Sequence, residues 1–106
     1  MTGSSRQIFR SNDAEGDLLA IWQFGAEEWS PEMADRHVRE VDHICGRLLD
    51  QPELGRKRDD LIPGIRSFLV RPHVVFYKQT SAGIILVRVL HQRFDVEALF
   101  RHGQRQ

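Results

Sequence analysis

Apolar residues recur every three or four positions from Ala14 to Trp29, through Leu18, Ile21, Trp22 and Gly25. That interval predicts an α-helix with one buried face. Ser11, Asn12 and Asp13 precede it as possible caps, and Asn12 with Glu15 has capping-box spacing. A second helical stripe follows at Ala34, Val38, Val41, Ile44, Cys45 and Leu48. Ser30 can cap it, Pro31 suits its first position, and Glu32 complements its dipole. The break between the stripes is only about two residues, so an antiparallel helical hairpin is expected.

After "QPELGRKRDDLIPG" the period falls from 3.6 to 2. Ile65 to Arg71, His73 to Lys78 and Ile84 to His91 read as three strands, rich in β-branched residues. Their short links predict an antiparallel meander, with Pro72 at a bend. "RQIFR" near the start alternates weakly and predicts a short strand. "DVEALF" predicts one last helical turn, and "RHGQRQ" a basic tail. The order β-α-α-β-β-β predicts an α+β fold, a helical hairpin packed on a small antiparallel sheet.

Length and composition narrow this picture. The 106 residues suit a single domain spanning residues 1–106, with a core of about residues 6–100 and a basic tail at 101–106. The hydrophobic fraction of 41% can fill one core. Cys45 has no partner for a disulfide and falls on the buried stripe, which argues against a nucleophile. No apolar run approaches the roughly 20 residues that span a bilayer. The start "MTGSSRQIFR" lacks the apolar middle of a signal peptide, so a cytoplasmic location and no membrane partner are expected.

The net charge of zero conceals a division. Asn12 to Glu53 carries eleven acidic and three basic residues, whereas Leu54 to Gln106 carries four and ten. Such a split fits either a charged partner or two separately solvated faces.

Candidate chemistry centres on "VRVLHQRFD", which brings His91, Arg93 and Asp95 close together. His91 could serve as base or acid, and Arg93, Arg88 and Arg66 could supply positive charge. The simpler reading makes Arg93 and Asp95 a tether and a capping carboxylate behind the last strand. Metal binding finds little support. His37 and His43 fall on different sides of a helix, and no Cys pairs with a His at zinc spacing. No metal or cofactor is expected. Trp22, Phe24 and Trp29 load the first helix with aromatics; Trp22 fits core packing, while Phe24 lies off the stripe and could join Trp29 in a partner patch.

Four stretches, "DLLAIWQFGAEEWSPEMADR", "PELGRKRDDLIPGIRSF", "HVVFYK" and "VRVLHQRFDVEAL", together resemble the ParE branch of the RelE/ParE superfamily of toxins. The likeness runs from about Phe9 to Phe100. Its most specific part is Pro52-x-Leu54-Gly55-Arg56-x-Arg58 followed by Pro63-Gly64-Ile65-Arg66-Ser67. The resemblance implies the toxin of a type II toxin–antitoxin system, of the kind associated with plasmid stabilisation. It would inhibit DNA gyrase by binding, without catalysis, and a ParD-type antitoxin would neutralise it. Operator DNA would be reached only through the antitoxin. Trp22, Phe24, Trp29, Arg66, Arg71 and Arg88 are the expected antitoxin contacts, and Arg93, Phe94, Phe100 and Arg101 the expected target contacts. The basic second half would then meet an acidic antitoxin segment in preference to phosphates. The alternative is a ribosome-dependent mRNA interferase of the RelE type, with His91, Arg93, Arg88 and Arg66 as its catalytic set. Against it, Lys57 and Lys78 are the only lysines. A third possibility is a neutral member that keeps the fold and the antitoxin but has lost its target.

Overall fold

The computed structural model describes residues 6–104, with side-chain surroundings from Arg6 to Arg101. Strand β1 (Gln7–Arg10) leads into helices α1 (Asn12–Glu28) and α2 (Pro31–Asp50). A single 3-10 turn (Pro52–Leu54) and a two-residue strand β2 (Arg56–Lys57) follow. The meander is β3 (Ile65–Val70), β4 (His73–Thr80) and β5 (Gly83–His91), and helix α3 (Val96–Gln104) closes the described chain.

The helical hairpin and the antiparallel meander are as the periodicity implies. Ser30 caps α2, accepting a hydrogen bond from the Met33 N–H at 3.1 Å, and Pro31 occupies its first turn. At α1 the cap is Ser11, not Asn12: its hydroxyl accepts from the Ala14 N–H at 3.0 Å and donates to the Val87 carbonyl at 2.8 Å. That second bond selects Ser11, because it also ties the helix start to β5. Gly25 lets the helices approach, since a Cβ there would lie 3.3 Å from that of Ala34. Trp22 spans the hairpin through a 2.7 Å bond from its indole N–H to Asp35.

The sheet order is β1-β5-β4-β3-β2. β1 adds a parallel pair beside β5, a partner the sequence pattern did not specify. It fits against Gly83, whose φ of +144° and missing Cβ leave room for the Gln7 backbone. β2 lies within a stretch expected to be loop.

Two apolar layers flank the sheet. The larger joins Leu18, Val41, Cys45 and Leu48 of the hairpin to Val75, Tyr77, Leu86 and Val89. On the other face Leu61, Ile65, Phe76 and Leu90 are covered by Phe100 of α3. This corrects the expectation of a single helical turn ending in an exposed Phe100. The residue is 8% exposed and its ring packs 5.4 Å from that of Phe76. An amphipathic α3 is needed because the meander has apolar residues on both faces. The expected tail begins inside α3; the side chains beyond Arg101 lie outside the described residues.

A β-bulge sets the facing of β5. Phe76 pairs with Arg88 but Tyr77 pairs with Leu86, leaving Val87 as the extra residue. Leu86 and Val89, three apart, therefore both face the helices, and Val87 and Leu90 both face α3.

Candidate functional site

The most specific sequence motif turns out to be a structural latch. Tyr77 is fully buried, and its hydroxyl donates to the Pro52 carbonyl at 2.6 Å and accepts from the Gly55 N–H at 2.8 Å. Arg66 donates to the Gly55 carbonyl at 2.7 Å. Arg58 pairs with Asp60, and its backbone N–H reaches the Ile65 carbonyl. The chain after α2 is thus pinned to the sheet through "PELGR" and "PGIRS". Arg66, expected at the antitoxin or a catalytic centre, is engaged in this latch.

Arg88 is engaged as well. It forms a two-pronged ion pair with Asp17, both contacts at 2.8 Å, and the Val89 N–H donates to the same carboxylate at 2.9 Å. The hydrogen bonds to Asp17 raise its pKa beyond the ordinary guanidinium value. This cluster clamps α1 onto β5.

Arg66 stands apart from His91. His91 faces His73 at one end of β4, whereas Arg66 faces Tyr77, four residues further along that strand and on its other side. At about 3.3 Å per residue, this separates them by roughly 13 Å along the strand direction alone. The His91 ring instead accepts the Arg93 N–H at 3.1 Å through Nδ1. Asp95 caps α3 through the Ala98 N–H at 3.2 Å, the structural role that the sequence allowed. Burial pushes the Cys45 thiol up to about 11, a further obstacle to nucleophilic chemistry. Among the described residues no group of three or more His, Cys, Asp or Glu is placed to hold a metal ion. No helix among them is long and apolar enough to cross a membrane.

What does stand open is a groove of about 480 Å³ between the hairpin and the ends of β4 and β5. Ile21, Phe24, Trp29, Met33, Pro72 and Val89 provide much of its apolar lining. Phe24 is 59% exposed and Trp29 67%, and their rings meet edge to face with centroids 6.1 Å apart. Trp22 lies half-buried beside them. Arg71, Arg93 and Arg101 are exposed, and Phe94 is 49% exposed.

One feature of the groove was not visible in the chain. His37 of α2, His73 of β4 and His91 of β5 gather along its wall. His37 Nε2 and His73 Nδ1 share a hydrogen bond of 2.9 Å, and the His73 and His91 rings meet edge-on at 5.7 Å. Burial first, then the neighbouring His37 and His91, lowers the His73 pKa to about 4.

Comparison with known proteins agrees with this architecture. Residues 8–96 match the family described as ParE toxin of type II toxin-antitoxin system, parDE. The Toxin ParE1 of Mycobacterium tuberculosis is 38% identical over 95 residues, spanning 89% of this chain and 96% of the relative. The Toxin ParE3 of Caulobacter vibrioides is 29% identical over 92 residues, spanning 87% and 92%. A solved structure, the chromosomal ParDE TA system from P. aeruginosa, superimposes with a TM-score of 0.70 at 20% identity, covering 82% of this chain and 96% of that one. At that identity the likeness speaks for the fold.

Proposed function

This chain belongs to the ParE toxin family of type II toxin–antitoxin systems, and from that premise we propose that it inhibits DNA gyrase by binding and is silenced by a ParD-type antitoxin seated in the hairpin groove. The observation carrying the antitoxin half is the exposed Phe24–Trp29 pair at the groove. Two aromatics left in water on one helix end favour burial under a partner. A groove of this shape suits the apolar face of an incoming helix. The gyrase half draws on family membership and on the exposed mixture of Arg93, Phe94 and Arg101. In this reading Phe100 works from beneath, holding α3 in place. Arg66 and Arg88 keep the fold, and Arg71 remains available at the surface.

The engagement of Arg66 in the latch and of Arg88 with Asp17 favours binding over catalysis. Two measurements test the reading. Phe24→Ser is expected to weaken antitoxin binding at least tenfold by calorimetry, as truncated aromatic anchors do. The melting temperature of the free toxin should move by no more than about 2 °C, because Phe24 is mostly in water. Unchanged affinity sinks the proposed seat.

Second, the chain expressed without antitoxin is assayed for gyrase supercoiling, cleavage complexes and ribosomal mRNA cleavage. Gyrase inhibition is the expected result, and it should survive His91→Ala. Cut mRNA would establish the interferase instead, and neither effect a neutral member.

A further inference from the structure

Resting on the reading that an antitoxin occupies the hairpin groove, we propose that the His37–His73–His91 cluster makes this docking proton-sensitive, with acid releasing the partner. The three rings come from three elements and border the same cavity. His37 and His73 are 2.9 Å apart, nitrogen to nitrogen. A hydrogen bond at that distance needs one N–H and one bare nitrogen, so at least one ring must be neutral. With both protonated, two donors and two positive charges face each other. His91 adds a third ring against His73, directly across the β4–β5 pair.

The surrounding charges do little to absorb added protons. From α2, Glu40 lies 3.7 Å from His37 Nδ1 and is largely in water. From α1, Asp17 reaches the groove, but Arg88 of β5 and the Val89 N–H already hold its carboxylate. After β5, Arg93 supplies only its backbone N–H, to His91. Arg71, beside Pro72 in the β3–β4 turn, adds positive charge to that end of the fold. The central ring therefore already resists protonation while water still reaches the groove: His73 holds out to a pH of about 4.

A partner laying apolar side chains over the wall would expel that water. It would then have to bury any imidazolium present, or bind only the fraction of molecules with neutral rings. Proton binding and partner binding then oppose each other, and linkage makes the opposition reciprocal. For a ring of the ordinary imidazole value near 6.5, excluding its proton weakens binding about tenfold between pH 7.5 and 5.5, whereas His73, neutral throughout that range, adds a loss only toward pH 4. The partner this selects is one whose groove-facing side chains are apolar, without a carboxylate opposite the histidines.

The test uses the full chain and its ParD-type antitoxin, purified as the complex, separated, and titrated at pH 7.5, 6.5 and 5.5. Circular dichroism at each pH checks that both proteins stay folded. N-phenyl-1-naphthylamine, an apolar dye uncharged over this range, serves as a second groove probe. Antitoxin affinity is expected to fall about tenfold across this range, with dye binding falling in parallel. In His37→Gln/His73→Asn the fall should shrink below about threefold; His91→Gln, at an exposed position, provides a second variant should the first not fold. A flat wild-type profile, tighter binding in acid, or a fall that persists in the folded variants overturns the proposal. If Phe24→Ser weakens the antitoxin while the profile is flat, only proton sensitivity fails. If Phe24→Ser has no effect, the antitoxin sits elsewhere and both readings fall.

Discussion

Gly55→Ala is expected to destabilise the protein by about 3–5 kcal/mol, a large part of a small domain's margin. The added methyl would collide with the Tyr77 hydroxyl and come within 2.7 Å of its ring. That ring is fully buried, so it has no free direction in which to retreat. Displacing it costs twice, since its hydroxyl serves both the Gly55 N–H and the Pro52 carbonyl. Burial keeps this phenol protonated, raising its pKa against the opposing pull of the Gly55 N–H and of Arg66. Tyr77→Phe leaves both backbone groups without that partner and should cost about 2–4 kcal/mol. The double variant should cost less than the sum, because removing the hydroxyl removes the nearest part of the clash. Urea denaturation checks all three; a Gly55→Ala midpoint equal to wild type would remove the latch from the account of this fold.

Asp17→Ala should cost about 2–4 kcal/mol, somewhat below the usual value for a fully buried pair because both side chains keep some contact with water. It strands the Arg88 guanidinium and the Val89 N–H together. Asp17→Asn keeps an acceptor for the amide but lacks the charge, and should fall between. Adding Arg88→Met to Asp17→Ala should recover part of the loss, since no uncompensated charge then remains. Absence of that recovery in a denaturation cycle would show that the clamp is not electrostatic.

His73 carries a stability signature of its own. Its folded pKa of about 4 lies below the unfolded value near 6.5, so the unfolded chain binds the extra proton. The stability is intact above pH 6.5 and declines as pH falls from there toward 4. Half-exposure of the ring keeps the effect small beside those of Gly55 and Asp17.

Much of the architecture was readable from local rules. The two helical stripes, Ser30-Pro31 at the second helix start, and the period-2 runs after Gly64 each state their element without reference to the rest of the chain. The exposure of Phe24 was readable too, since Phe24 breaks the stripe that buries Leu18 and Gly25, whereas Trp29 follows the stripe's own interval and yet lies exposed. The functions foreseen for Arg66, Arg88 and Phe100 were not. The assignment of each depends on a neighbour distant in sequence: Gly55, Asp17 and Phe76.

The histidine cluster shows the division most clearly. A two-residue turn pairing Thr80 with Gly83 would, in unbroken register, set His73 opposite Leu90. The bulge at Val87 shifts the pairing by one and brings His91 to His73 instead. The same shift turns Val89 toward the helices and Leu90 toward α3. Sequence alone determined the elements, because periodicity and capping act over a few residues. Tertiary structure decided which side chains meet, because one extra residue in a strand reassigns every facing beyond it.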